Sequence, residues 1–405
     1  MVADWVIVGA GFTGLSAAHR IATRNPDDTV VVLDAQPVGW GAAGRNSGFM
    51  IDLPHHLQSS DYSGDHDQLE IRQNRFAIDY AKALADEFDL GGFTSGVGRI
   101  NAATDAAGTQ ALATYARHLS ALGEPYTQLD ADSLQEITGI GYYRDGIHMP
   151  GCLLIQPAGY IRGVAAGLAD RVHLFENSPV QEIRTGSSNQ VRTPKGSVEA
   201  KNVILTVNGH LESFGYSRGR LMHLFLYGSM TRELTPAEIK QLGGHKEWGI
   251  TPAHPMGSTI RRLRENRIVV RNHITYNPEL EHDDAQMQRA VERHRESFDR
   301  RFPMLGSVEM EYQWSGALCL SLNSVPVFGE IERGIYAACC QNGLGATKGT
   351  LHGVLIADHA MGENHDMVRE ILDLEDPRRL YPEPFMGLGA RTRLWWGQRQ
   401  AGLDL

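Results

Sequence analysis

"VIVGAGFTGLSAAHRI", residues 6–21, decides how the rest of the chain is read. A hydrophobic strand runs into Gly9, Gly11 and Gly14, and a helical pattern follows. The first glycine permits the turn, the second lets backbone approach a pyrophosphate, and the third brings helix and strand together. Backbone N–H groups at the helix start are then available to hold an anion. "DTVVVLDAQP" supplies a second buried strand ending at Asp34. This acid lies about twenty residues past the last glycine, where a carboxylate accepts hydrogen bonds from ribose hydroxyls. The two strands and the helix make a β-α-β unit, so a parallel sheet begins here. A dinucleotide is expected against Gly9, Gly11, Phe12, Thr13, Gly14, Asp34 and Ala35.

Composition narrows the class. The 405 residues are 42% hydrophobic and 21% charged, enough for a globular protein of more than one domain. A net charge of −10 argues against nucleic-acid binding as the main task. Cys152, Cys319, Cys339 and Cys340 show no zinc or redox-motif spacing, which points to free thiols in a reducing compartment. The first residues run directly into a strand, and no apolar stretch is long enough to span a bilayer. A soluble, cytoplasmic protein without an integral membrane segment is expected. His55 and His56 lack a partner pattern, so no metal is expected.

Further along, residues 66–88, "TQALATYARHLSALG" and 282–302 read as helices. "AGYIRGVAAGLADRVHLFEN" reads as a helix running into a strand. From Val180 the texture changes to short strands and turns, and "HLFLYGSMTREL" and "GSTIRRLRENRIVVRNHITY" read as strands of a separate antiparallel sheet. "GIYAACCQNGLGATKGTLHGVLIADHAMG" returns to strand, glycine turn and helix. Gly343 and Gly345 open that helix, 347–359, whose first amides carry partial positive charge suited to an anion. "RTRLWWGQRQ" near the end reads as a docked tail helix, with a membrane anchor as the alternative.

"GWGAAGRNSG", residues 39–48, packs small residues around Arg45 and Asn46 just after the second strand. The stretch resembles the flavin-contacting loop of the D-amino-acid oxidase superfamily, which includes sarcosine and glycine oxidases. Its wording is most similar to the gamma-glutamylputrescine oxidase branch. "LIQPAGYIRGVAAGLA", "ENSPVQEI", "KNVILTVNG", "WSGALCLSLNSVPVFG" and "CQNGLGATKG" resemble further family segments in order, with Asn323 in place of the commoner acid.

The resemblance implies an α/β fold with two parts. One is a discontinuous Rossmann-like FAD domain over 1–85, 155–212 and 315–365. The other is a substrate domain over 86–154 and 213–314, built on a mostly antiparallel sheet flanked by helices. Residues 366–405 form a tail packed on the body. It implies FAD contacts from Gly41, Ala42, Arg45, Asn46 and Ser47. It also implies them from Val180, Asn208, Gly209, Gly343, Leu344, Gly345, Ala346, Thr347 and Lys348. The family chemistry is C–N oxidation of a small-molecule amine or amino acid. Hydride passes to flavin N5, the imine hydrolyses, and O2 is reduced to H2O2. Alternatives are a dehydrogenase of an amine or 2-hydroxy acid with another acceptor, or a noncatalytic flavoprotein subunit.

Four positions depart from the family. Thr347 replaces a carboxylate-binding lysine, with Lys348 next to it; Val269 falls near the lysine that speeds oxygen reduction. Gly316 falls where a cysteine attaches flavin, so noncovalent FAD is expected; Arg271 falls where relatives often have glycine. His273 and Lys348 are the candidate catalytic residues. Met50, His148, His223, Tyr227 and Arg271 are the candidate substrate residues.

Overall fold

A computed structural model describes residues 1–54 and 64–405, so the His55–His56 pair lies outside the described residues. Val2–Val8 becomes the central strand of an eight-stranded sheet. Its apolar side chains fill both faces, as a strand covered on both sides requires. Val30–Leu33 and Gly196–Leu205 flank it in parallel. His173–Phe175 extends the sheet beyond Val30–Leu33. The outer edge of Gly196–Leu205 is shared: residues 196–200 pair with Asn189–Thr193, and residues 203–205 pair with Ile335–Cys339. Helices Phe12–Arg24 and Thr347–Ala360 pack together. Ile7, Leu15, Ile21, Val32 and Ile356 form the core on this side, and Val6, Val31, Leu205 and Ala337 on the other.

A second eight-stranded sheet starts at Met310–Leu320 and continues through Met222–Thr231, Ile268–Tyr276, Thr259–Arg262 and Trp248–Pro252. Arg99–Ala103, Asp145–Met149 and Thr127–Asp130 complete it. Every pairing is antiparallel except Trp248–Pro252 with Arg99–Ala103. Helix Asp284–Arg301 covers one face, burying Phe298 with Ile260, Ile268 and Val270. The strand Met310–Leu320 runs through residue 315 without a break, because its ladder with Met222–Thr231 continues to Leu320. A domain boundary at 315 would therefore cut a paired strand.

Phe49–Met50, Leu153–Ile155 and Thr94–Ser95 form a small third sheet. Near the C-terminus, Asp366–Leu372 packs on Thr347–Ala360, and Phe385–Gln400 packs on Ile268–Tyr276. All four cysteines are buried free thiols. Among the described residues no helix is long and apolar enough to cross a membrane. No described group of three His, Cys, Asp or Glu side chains is placed to hold a metal.

Candidate active site

The glycine turn is built as its spacing demands. Gly9 has φ +105°, and a Cβ on Gly14 would sit 1.8 Å from the Gly9 carbonyl oxygen. Thr206 adds a brace that the motif does not contain, its hydroxyl donating to the carbonyls of Val8 (2.9 Å) and Gly9 (3.0 Å). Asp34 accepts from the amides of Ala10 (2.7 Å) and Gln36 (2.9 Å), one on each oxygen. Burial pushes its carboxyl up, and these two donors oppose the shift. A Cβ on Gly11 would meet only Ala43 Cβ, at 3.5 Å, so protein neighbours alone do not require glycine there. Helix Phe12–Arg24 starts without a side-chain cap or an acid in its first turn, leaving its first amides unanswered. Open space, free amides and an oriented carboxylate suit a dinucleotide's diphosphate and ribose.

The other expected cofactor segments gather at the same sheet edge. The Ser178 amide donates to the Asp34 carbonyl at 2.7 Å, which carries the following Val180 alongside. Asn208 accepts from the Cys340 amide at 3.1 Å, tying the turn beginning at Asn208 to the 340–346 turn. A Cβ on Gly343 or Gly345 would meet nothing within 4 Å. Helix Thr347–Ala360 also starts without a side-chain cap, and the buried Thr347 hydroxyl has no partner. The amides of Lys348, Gly349 and Thr350 already bond the carbonyls of Leu344, Gly345 and Ala346, so the Thr347 hydroxyl is the orphaned donor that suits the polar edge of a flavin. Leu344 packs with Phe49, Ile51, Cys152 and Leu154.

The 39–48 loop is fixed to the second sheet at two points. The Trp314 indole donates to the Arg45 carbonyl at 2.9 Å, and Arg45 donates to the Ser315 carbonyl at 3.1 Å. Arg261 donates through one nitrogen to the carbonyls of Ser47 (2.9 Å), Gly48 (3.2 Å) and Ile155 (2.7 Å). Burial lowers the Arg261 guanidinium to about 10. Asn46 uses its side chain within its own loop. Its nitrogen donates to the Ala43 carbonyl (2.7 Å) and its oxygen accepts from the Gly48 amide (2.8 Å), so it braces the loop. Gly41 and Ala42 stay exposed, and Ser47 is half-buried.

Trp314, Gly228, Arg271 and Thr259 stand side by side across four strands. The registers of the next two strands add Thr251 and Asn101 to this row. Residues paired across strands share a face, and here it is the face on which the 39–48 loop docks. A Cβ on Gly228 would lie 2.8 Å from the Trp314 ring, so glycine lets the indole lie across the strand. Arg271 is half-buried on this face. Its guanidinium reaches the Thr259 hydroxyl at 3.4 Å, and no described carboxylate pairs with it. Burial lowers it to about 10.

Several expected site residues lie elsewhere. The Met222–Thr231 and Ile268–Tyr276 ladder slips between Leu226 and Tyr227, leaving His273 as the extra residue at φ +61°. Both its ring nitrogens are buried without hydrogen bonds. Neighbouring Gln398 commits its amide to the Ile274 carbonyl (3.0 Å) and to Arg293 (2.7 Å). Burial first, then Arg293 and Arg289, lower His273 to about 4.

Strand alternation places Tyr227 and His223 on the face opposite Arg271. Tyr227 bonds Thr275 at 2.8 Å, and His223 bonds Glu212 at 2.9 Å beside Gly209. His148 pairs across the sheet with Ile100, also on that opposite face, and bonds the Val97 carbonyl at 2.9 Å. Met50 is fully buried in the core of the first sheet. Lys348 forms an ion pair with Glu70 at 2.9 Å, which occupies its ammonium within the protein. Sequence reasoning missed Thr206, Arg261, Thr251 and Thr259. Of these, only Thr206 carried a signal, since it directly follows the strand Gly196–Leu205 that returns to the glycine turn.

A dinucleotide cradle facing one side of a second sheet defines a two-part flavin-dependent oxidoreductase. Residues 4–359 match the FAD dependent oxidoreductase (DAO) family, and the chain belongs to it. It is 27% identical to gamma-glutamylputrescine oxidoreductase of Escherichia coli (strain K12), over 96% of this chain and 91% of that protein. It is 24% identical to the probable oxidoreductase OrdL of Haemophilus influenzae, over 89% of this chain and 84% of that one. Glycine oxidase from Geobacillus kaustophilus has the same fold, with a TM-score of 0.75 and 19% identity over 93% of this chain and 99% of that chain. L-proline dehydrogenase from P. horikoshii shares it with a TM-score of 0.72 and 16% identity, over 91% and 96%.

Proposed function

We propose that the protein oxidises the C–N bond of an amine or amino acid carrying an anionic group, and that Arg271 holds that group. The observation behind this reading is a half-buried guanidinium without a described carboxylate partner, on the face where the 39–48 loop docks. Such a charge is costly unless an anion meets it. The names of relatives acting on gamma-glutamylputrescine, glycine and L-proline support the substrate class.

When bound, FAD takes up the two electrons of substrate oxidation. The amides after Gly11 and the Asp34 carboxylate would hold its diphosphate and ribose, and the start of helix Thr347–Ala360 would face its flavin. Arg271 and the Thr259 hydroxyl orient the substrate's anionic end, while the Trp314 indole walls one side against water. No described acid–base pair stands beside Arg271, so the amine enters unprotonated and the released imine is hydrolysed by water.

FAD is held noncovalently on this reading. Gly316 offers no sulfur, and alternation turns Cys319 to the opposite face, where it joins the core of the first sheet. Oxygen is the acceptor we infer. One feature favours a dehydrogenase instead: Val269, with no ammonium to offer, falls near the position that the family resemblance gives to a lysine speeding oxygen reduction.

Anaerobic mixing of the yellow protein with matched amines, with and without a carboxylate, tests the proposal. Carboxylate-bearing amines should bleach the flavin at least tenfold faster. Equal bleaching by neutral amines would sink the role of Arg271, and no bleaching by any amine would sink C–N oxidation. Admitting air then separates the acceptors: prompt recolouring with peroxide marks an oxidase, and slow recolouring a dehydrogenase.

A further inference from the structure

Helix Phe385–Gln400 is apolar on two sides. Its inner side packs Met386, Ala390 and Leu394 against Leu224, Ile274 and Tyr276. There it covers the edge of Ile268–Tyr276 that Thr259–Arg262 leaves open beyond Arg271. Gln398 donates to the Ile274 carbonyl along that edge. The outer side is uncovered: Phe385 is 70% exposed, Leu388 69%, Trp395 57% and Trp396 55%.

At about 100° per residue, these four side chains form one stripe along the helix. Arg391 and Arg393 border the stripe on opposite sides, and Arg399 lies within it over the Trp395 ring. Residues 385–403 hold three arginines and no carboxylate, in a chain whose net charge is −10.

We propose that this helix seats the protein on an anionic lipid surface, lying in the plane of the interface. Tryptophans favour the headgroup level, and arginines flanking an apolar stripe reach up to lipid phosphates. The helix is a single convex ridge, which suits a deformable lipid surface. A second copy docking through a two-fold axis would set the same three arginines against one another, and that repulsion disfavours self-association. The local positive charge orients the molecule, because the rest of the chain is repelled by an anionic surface.

Flotation of the FAD-loaded protein with phosphatidylglycerol–phosphatidylcholine vesicles, and with pure phosphatidylcholine, tests this. Binding to the anionic vesicles is expected, weakening as salt is raised. Trp395→Ser with Trp396→Ser should lower it at least tenfold. Arg391→Gln with Arg393→Gln should remove the preference for anionic lipid. Flavin content and melting temperature should stay unchanged in both double variants. Failure to float with anionic vesicles overturns the proposal, as does binding that survives both double variants. A concentration-dependent dimer, seen by sedimentation and abolished by the tryptophan variant, would assign the face to a second copy and equally overturn it.

Discussion

Trp314 and Arg45 clasp each other across 269 residues of sequence: the indole donates to the Arg45 carbonyl at 2.9 Å. The Arg45 guanidinium answers on the neighbouring Ser315 carbonyl at 3.1 Å. This pair holds the 39–48 loop against the second sheet. Trp314→Phe keeps a ring and removes the donor, leaving the carbonyl unmatched at a cost of about 1 kcal/mol. FAD should therefore bind roughly fivefold more weakly, as equilibrium dialysis would read. Unchanged affinity would mean that the clasp does not position the loop.

Asp34 orders two backbone amides before any ribose arrives. Asp34→Ala removes the ribose acceptors and orphans both amides. The dissociation constant for FAD should rise on the order of a hundredfold, about 2.7 kcal/mol. Thr206→Val, which removes the brace behind the turn, should move it the same way by less. Flavin-to-protein absorbance after dialysis separates the two variants.

Arg271→Met addresses substrate recognition without touching the cradle. KM for a carboxylate-bearing substrate should rise on the order of a hundredfold, the loss of a charged hydrogen-bonded pair, with kcat little changed. FAD content should match the parent. A fall in kcat at constant KM would instead place Arg271 in the chemical step.

His273 makes stability depend on pH. Its unfolded value is near 6.5 and its folded value about 4. Above pH 6.5 neither state holds the proton. Between 6.5 and 4 only the unfolded chain binds it, so stability is lost as the pH is lowered through this window. Below about 4 both states are protonated and the dependence ends. The loss across that window is about 3 kcal/mol. His273→Asn keeps a residue tolerant of the left-handed backbone and abolishes the titration. Urea midpoints at pH 7 and pH 4.5 should lie closer together in the variant, and an unaltered gap would exonerate His273.

Acid precipitation should release all flavin into the supernatant, and Cys319→Ala should remain yellow. Flavin retained in the pellet of the parent but not of the variant would show a thioether at Cys319.

Legibility from sequence followed the range of the contacts. Gly9, Gly14 and Asp34 were readable because their partners lie within one β-α-β unit, and the strands of the second sheet were readable from alternation. The roles of Tyr227 and His223 turned on which face of Met222–Thr231 looks at the cofactor loop, which depends on tertiary docking. The bulge at His273 is a one-residue slip that leaves no mark on hydrophobic pattern. Asn46 and Arg45 looked like equal donors, yet only the docked loop shows that Asn46 serves its own backbone. Arg261 binds carbonyls supplied by distant segments, and Lys348 meets an acid from another helix, so neither partnership was written locally.

Val6, Val203 and Ile335 stand abreast in the first sheet, each bonded to the next. The ribosome delivers them far apart in time: the N-terminal strand waits for about half of the chain before Gly196–Leu205 can pair with it, and that strand waits in turn for Ile335–Cys339. Meanwhile its apolar edge is open to wrong partners. Completion of this sheet is thus a late event in synthesis, and a chain cut short before residue 335 leaves it unfinished. Slow, long-range closure of this kind predicts refolding governed by contact order, with the pairing of Ile335–Cys339 among the last features to form.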